Sequence, residues 1–117
     1  MNEKESIGVV NDQVGCPTYA ADIAEAVLKI ILENDKPRAG IYNYCNEGIT
    51  SWYEFALEIK KLSGSKCIVN PITTNDYPTP AKRPHYSVLD TTKIKETFGL
   101  AIPGWKESLA KCISLLL

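Results

Sequence analysis

The stretch Ile7-Gly8-Val9-Val10-Asn11-Asp12-Gln13-Val14-Gly15-Cys16-Pro17-Thr18-Tyr19-Ala20-Ala21-Asp22-Ile23-Ala24 passes from a short β-branched segment through a polar turn into a helix start. Strand, loop and helix follow one another because Asn11-Asp12-Gln13 and Gly15-Cys16-Pro17 separate two different apolar periods. Beyond Ala20, Ile23, Val27, Ile30 and Ile31 recur at helical spacing. The helix is expected to end near Asn34-Asp35-Lys36, since Pro37 disfavours the α conformation in its predecessor. Working outward, Ile41-Tyr42-Asn43-Tyr44-Cys45 reads as a second strand. Ser51-Trp52-Tyr53-Glu54 has the spacing of a capping box, in which the hydroxyl accepts from the Glu54 amide and the carboxylate returns to the Ser51 amide. The helix it opens should bury Trp52, Phe55, Ala56, Ile59 and Leu62 and stop at Gly64. Cys67-Ile68-Val69-Asn70-Pro71-Ile72 reads as a further strand.

Four prolines, Pro71, Pro78, Pro80 and Pro84, crowd the next segment. Each fixes φ and removes a donor, so residues 73–84 are expected to form a stiff extended loop, a type of segment that often carries function. Tyr86-Ser87-Val88-Leu89 reads as a short strand, and Asp90 or Thr91 caps a brief helix ending at Gly99. Trp105, Leu109, Cys112, Ile113 and Leu116 mark the apolar face of a closing helix. This order of elements predicts an α/β fold, a small mixed or parallel sheet with flanking helices, in a single domain over residues 1–117.

With 117 residues, 44% of them hydrophobic, and a formal charge of −1, there is material for one modest core. The absence of a basic run argues against nucleic acid as a partner. The apolar runs are too short for a membrane span, and no hydrophobic stretch follows Met1-Asn2-Glu3-Lys4-Glu5, so a cytoplasmic protein is expected. Cys16, Cys45, Cys67 and Cys112 form no CxxC pair and read as small hydrophobes. His85 is the one histidine, which leaves no Cys/His metal site to expect.

The seven glycines never fall at the spacing of GxGxxG or GxxGxxG, and no tyrosine is followed four positions later by lysine. P-loop, GxSxG and HExxH motifs are absent too. The chain is therefore expected to contribute no catalytic and no cofactor-binding residue of these kinds.

Four ordered segments carry a resemblance: Val9 through Ala24 of the opening stretch, Gly40-Ile41-Tyr42-Asn43, Thr50-Ser51-Trp52-Tyr53-Glu54-Phe55-Ala56, and Tyr77-Pro78-Thr79-Pro80-Ala81-Lys82-Arg83-Pro84-His85-Tyr86-Ser87-Val88-Leu89-Asp90. Together they resemble the dTDP-4-dehydrorhamnose reductase family of extended short-chain dehydrogenases, over about residues 7–116. The resemblance implies the C-terminal portion of an incomplete Rossmann-type fold, whose N-terminal Rossmann half, with the NADP fingerprint and the Tyr-xxx-Lys pair, is not in this chain. For the intact enzyme it implies NADPH-dependent reduction of the C4 ketone of dTDP-4-dehydro-6-deoxy-L-mannose to dTDP-L-rhamnose, for cell-surface polysaccharide. To this chain it leaves the holding of the dTDP-sugar, with no reductase activity of its own.

Arg83 is the foremost ligand candidate, because a guanidinium offers forked donors to a diphosphate and follows a proline-stiffened loop; a solvated surface arginine is the alternative. Lys82 should point to solvent. Trp52 could stack on the thymine, yet core packing is its preferred role. Gln13 is a candidate for a sugar or loop hydrogen bond, and Thr18, in the same turn, reads first as the helix N-cap and second as a ligand contact. Tyr77 covers the nucleotide or anchors the loop. His85 is given no catalytic role. The family often has serine at the position of Cys16.

Two other functions stay open on the sequence: a non-catalytic regulatory relative of the same superfamily, and an unrelated small α/β interaction module. If the strands are parted from a parent sheet, apolar surface at the junction should favour a homodimer.

Overall fold

Parallel pairing of two strands distant in sequence organises one end of the molecule. In this computed structural model, which describes residues 5–33 and 38–117, β1 (Ser6–Val10) lies beside β4 (Ile68–Ile72), with Ser6 opposite Ile68 and Val10 opposite Ile72. Between them in chain order come β2 (Val14–Gly15), α1 (Ala20–Glu33), β3 (Thr50–Ser51) and α2 (Trp52–Ser63). After β4 follow a 3-10 turn at Thr74–Asp76, α3 (Thr92–Phe98) and α4 (Trp105–Leu116). α2 packs against β1, β4 and α4, as a connection between parallel strands must. Pro71 is tolerated inside β4 because the strand has a free edge.

The core gathers Cys45, Ala56, Cys67, Val69, Ile94, Leu100, Trp105 and Leu109. Burial of the larger of these side chains contributes about 1.5–3 kcal/mol each. Trp105 meets the Phe55 ring at 5.9 Å between centroids and lies over Gly48, whose φ of 101° and lack of a Cβ make room for the indole 2.7 Å from where that atom would stand.

The α/β class with a small parallel sheet and flanking helices agrees with the sequence reading, and local signals did well. Ser51 Oγ accepts from the Glu54 amide at 3.1 Å, and Gly64 and Gly99 end their helices at φ 71° and 64°. Several details differ. Instead of one sheet there are two of two strands each, because β2 pairs antiparallel with β3. Residues 41–45 form no strand. Their groups are taken by other partners, Lys93 Nζ donating to the Ile41 carbonyl at 2.9 Å and Cys45 Sγ to that of Leu89. Residues 86–89 keep only a bridge between Val14 and Tyr86. The capping box is half made, as the Glu54 carboxylate accepts from Thr50 Oγ1 at 3.1 Å instead of returning to Ser51. Asp90, not Thr91, supplies the side-chain cap of α3, accepting from the Thr92 amide at 2.9 Å.

Trp52 is 47% exposed and not a core residue. It sits on the side of α2 that faces the loop after β4, while Phe55 and Ala56 turn inward. The apolar stripe of α1 is likewise uncovered: Val27, Leu28, Ile31 and Leu32 are exposed, and Asp22 is the buried residue of that helix. Leu116 of the closing helix is exposed as well. The predicted end of α1 at Asn34-Asp35-Lys36 lies outside the described residues.

Candidate functional site

A cleft of about 370 Å³ opens between the end of β1, the start of α2 and the proline-rich loop, lined by Val10, Gln13, Trp52, Tyr77, Thr79, Arg83, Pro84 and Ser87. Its size falls at the lower end of the range typical of small-molecule sites. Four residues singled out from the sequence, Gln13, Trp52, Tyr77 and Arg83, meet here although they come from three separate segments. Val10, Thr79, Pro84 and Ser87 complete the lining. They carry no individual signal in the sequence, being identifiable only once the loop is seen folded over β1.

Each wall has a local cause. Trp52 follows the Ser51 cap directly, so the helix start aims its indole outward, with the Phe55 ring behind it edge-on at 6.1 Å. Gln13, buried at the base, donates from Nε2 to Thr74 Oγ1 at 3.3 Å. Ser87 is held by its Oγ to the Val14 carbonyl at 3.2 Å, and a Cβ on Gly15 would meet that Oγ at 2.7 Å, so a larger residue there would displace the serine hydroxyl. Thr79 Oγ1 donates to the Ala81 carbonyl at 2.6 Å, tightening the loop between two prolines.

Arg83 is the one charged side chain lining the cleft, and among the described residues it has no hydrogen bond or ion pair. An unpaired guanidinium beside an exposed indole and phenol suits a ligand with an anionic part and a flat part. Lys82 is exposed.

Thr18 is placed elsewhere. It lines a smaller cavity of about 100 Å³ with Tyr19, Asn46, Phe55, Trp105 and others, and its hydroxyl donates to the Cys16 carbonyl at 3.1 Å. It is not the N-cap of α1. The turn into α1 is tied instead by Asn46, whose Oδ1 accepts from the amide of Tyr19, one residue before the helix, at 2.7 Å across 27 positions of sequence. Asn46 Nδ2 also donates to Asp22 Oδ2 at 2.7 Å, to Ser108 Oγ at 3.1 Å and to the Pro103 carbonyl at 3.1 Å, and Ser108 Oγ donates to Asp22 Oδ2. Asn46 and Ser108 are completely enclosed. The sequence offered no sign of this clasp, since its members are far apart.

Proton affinities are perturbed away from the cleft. Burial, with the neighbouring Cys16 thiol, pushes the Cys45 thiol up to about 11. Burial also raises Tyr44. Hydrogen bonds from Thr74 and Thr92 hold Asp12 and Asp90 below the ordinary carboxylate value, and the Glu47 carboxylate raises Lys95. None of these groups lines the cleft. Among the described residues no three His, Cys, Asp or Glu side chains cluster as metal ligands, and no helix is long and apolar enough to cross a membrane.

The RmlD substrate binding domain family matches residues 1–117. A dTDP-4-dehydrorhamnose reductase of Aggregatibacter actinomycetemcomitans is 42% identical over 115 residues, covering 91% of this chain and 39% of that protein. The crystal structure of a dTDP-4-dehydrorhamnose reductase from Clostridium acetobutylicum superposes with a TM-score of 0.87 at 43% identity, over 97% of this chain and 40% of that one. That of the Bacillus anthracis reductase, in complex with NADP, gives 0.88 at 34% identity, over 97% and 39%. The chain thus spans about two fifths of the length of the relatives it matches.

Proposed function

Because the chain belongs to the RmlD substrate-binding domain family, we propose that it is the part of a dTDP-4-dehydrorhamnose reductase that holds the dTDP-sugar for reduction. The observation that carries this reading is the unpaired Arg83 guanidinium set in one cleft with Trp52, Tyr77 and Gln13. Arg83 offers forked donors to the diphosphate, Trp52 and Tyr77 present flat faces to the base or sugar, and Gln13 fixes the cleft floor. Thr18, lying at the other cavity, has no part in it.

The chain's own residues do not fit a nicotinamide cofactor. No glycine pair stands at the GxGxxG or GxxGxxG spacing that brings backbone amides to a pyrophosphate, and the backbone at Gly15 and Gly48 is closed over by Ser87 and Trp105. NADPH is therefore assigned to residues outside this chain, and the chain alone is assigned no reductase activity. The relatives' remaining length is the natural cover for the uncovered stripe of α1, and without it that stripe favours a homodimer. In the cell the reading places the protein in the cytoplasm, where its four free cysteines stay reduced and dTDP-L-rhamnose is made for surface polysaccharide.

Titration calorimetry of the chain with dTDP tests the reading. Saturable binding that Arg83→Ala weakens at least tenfold supports it, and equal binding by both forms overturns it. NADPH oxidation by the chain alone with the keto-sugar nucleotide would overturn the division of labour.

A further inference from the structure

The loop that carries Tyr77, Thr79 and Arg83 to the cleft is exposed along its length, so something other than core packing must hold it. Prolines at 78, 80 and 84 stiffen it, and a stiff segment is positioned by its two ends. Both ends meet at one residue. At the near end Asp12 Oδ1 accepts from Thr74 Oγ1 at 2.7 Å and from the Thr74 amide at 2.9 Å, with Oδ2 at 3.1 Å from that amide. At the far end the Asp12 backbone carbonyl accepts from His85 Nδ1 at 2.9 Å.

The neighbours of Asp12 extend the same hold. The Asn11 amide donates to the Ile72 carbonyl at 2.9 Å, and the Val14 amide to that of His85 at 2.8 Å. Within the loop, Asp76 Oδ2 accepts from the Thr73 amide and hydroxyl at 3.1 and 3.0 Å, so the turn at Thr74–Asp76 is internally fixed and moves with Thr74. Asp12 itself does not line the cleft.

We propose that Asp12 is a positioning residue for ligand capture, gripping both ends of the proline-rich loop so that Arg83 and Tyr77 stand over the cleft before the ligand arrives. This rests on the nucleotide-sugar reading above for the identity of the ligand, and on geometry alone for the grip. An aspartate suits the place because one carboxylate can accept from both the amide and the hydroxyl of a single threonine. Pre-ordering the loop raises affinity by removing the entropy that binding would otherwise lose.

The test is amide heteronuclear NOE on Tyr77, Thr79, Ala81, Lys82 and Arg83, with dTDP titration, on the wild-type chain, Asp12→Ala, Asp12→Asn and Arg83→Ala. Asp12→Ala should lower the loop NOE values, leave those of α2 and α4 in place, and weaken dTDP binding about tenfold. Asp12→Asn keeps an acceptor for the Thr74 amide and should restore most of both. Arg83→Ala should lose dTDP while its loop stays ordered. A loop equally ordered in Asp12→Ala, or an Asn variant as loose as the Ala variant, overturns the proposal. If the wild-type chain ignores dTDP while Asp12→Ala loosens the loop, the grip stands and the ligand reading falls.

Discussion

Asp22, Asn46 and Ser108 are buried, the last two completely, whereas Asp12, Thr74 and His85 make bonds of similar length at the surface. Each set joins segments more than twenty positions apart, and each is built around one carboxyl group. The solvent makes the difference. A buried donor or acceptor that loses its partner has no water to replace it, while an exposed one is re-solvated at once. The buried clasp therefore governs whether α1, the loop at Asn46 and α4 stay together, and the surface grip governs where a loop points.

The largest effect should come from breaking the clasp. Asn46→Ala removes one accepted bond and the two side-chain hydrogens shared among three acceptors, leaving the Tyr19 amide and Asp22 Oδ2 short of partners. We expect a loss of about 3 kcal/mol of stability, read as a lower urea midpoint. A change below about 1 kcal/mol would mean that water enters and that the two regions do not differ in kind. Asp12→Ala should move the same midpoint far less, while acting on the loop.

Next in size is Trp52→Ala. With the indole nearly half exposed and a single ring neighbour in Phe55, stability should change by less than about 1 kcal/mol while dTDP affinity falls about tenfold. The reverse pattern would return Trp52 to the core, where the helical stripe alone had put it.

That misplacement shows which parts of the molecule were legible. Ser51, Gly64 and Gly99 were readable because caps are local: their partners lie within four positions. The apolar period of α2 was readable too, but a period gives a face and not its cover. Trp52 at the edge of that face was decided by the loop after β4. Residues 41–45 have strand composition, yet a strand needs a ladder partner, and here the Ile41 carbonyl goes to Lys93 while the Cys45 thiol donates to the Leu89 carbonyl. Gln13, Tyr77 and Arg83 were selected by their chemistry and loop positions together with the resemblance, and the fold brings them together. Asn46 was invisible because its partners are 24 to 62 positions away, and Asp12 was passed over as turn polarity beside Gln13.

The clasp has its own reporter in Cys45, next to Asn46 and buried. With its thiol raised to about 11, chiefly by burial, alkylation by iodoacetamide should be slow at neutral pH and rise about tenfold per pH unit up to that value. Because the folded thiol holds its proton more tightly than the unfolded one, this contribution to stability is present below about pH 9 and fades as pH climbs toward 11. Asn46→Ala should speed the labelling several-fold. Asp12→Ala should not, and if it did, the two assemblies would be one.

The smallest effect belongs to the Asp12 carboxylate. Its proton affinity is lowered first by the Thr74 hydroxyl, then by the Thr74 amide, with a smaller electrostatic contribution from His85. A depressed folded value means that the carboxylate's hold is complete above the unfolded value near 3.8 and is lost as pH falls through the lower folded one. Carbon chemical shifts of the Asp12 carboxyl between about pH 5 and pH 2 should trace that midpoint, and Thr74→Val should lift it toward the unfolded value by removing the strongest of the bonds. Loop amides that lose order at the same midpoint would tie the surface grip to that one proton. A midpoint that Thr74→Val leaves unmoved would show that the carboxylate is held by something other than the loop it anchors.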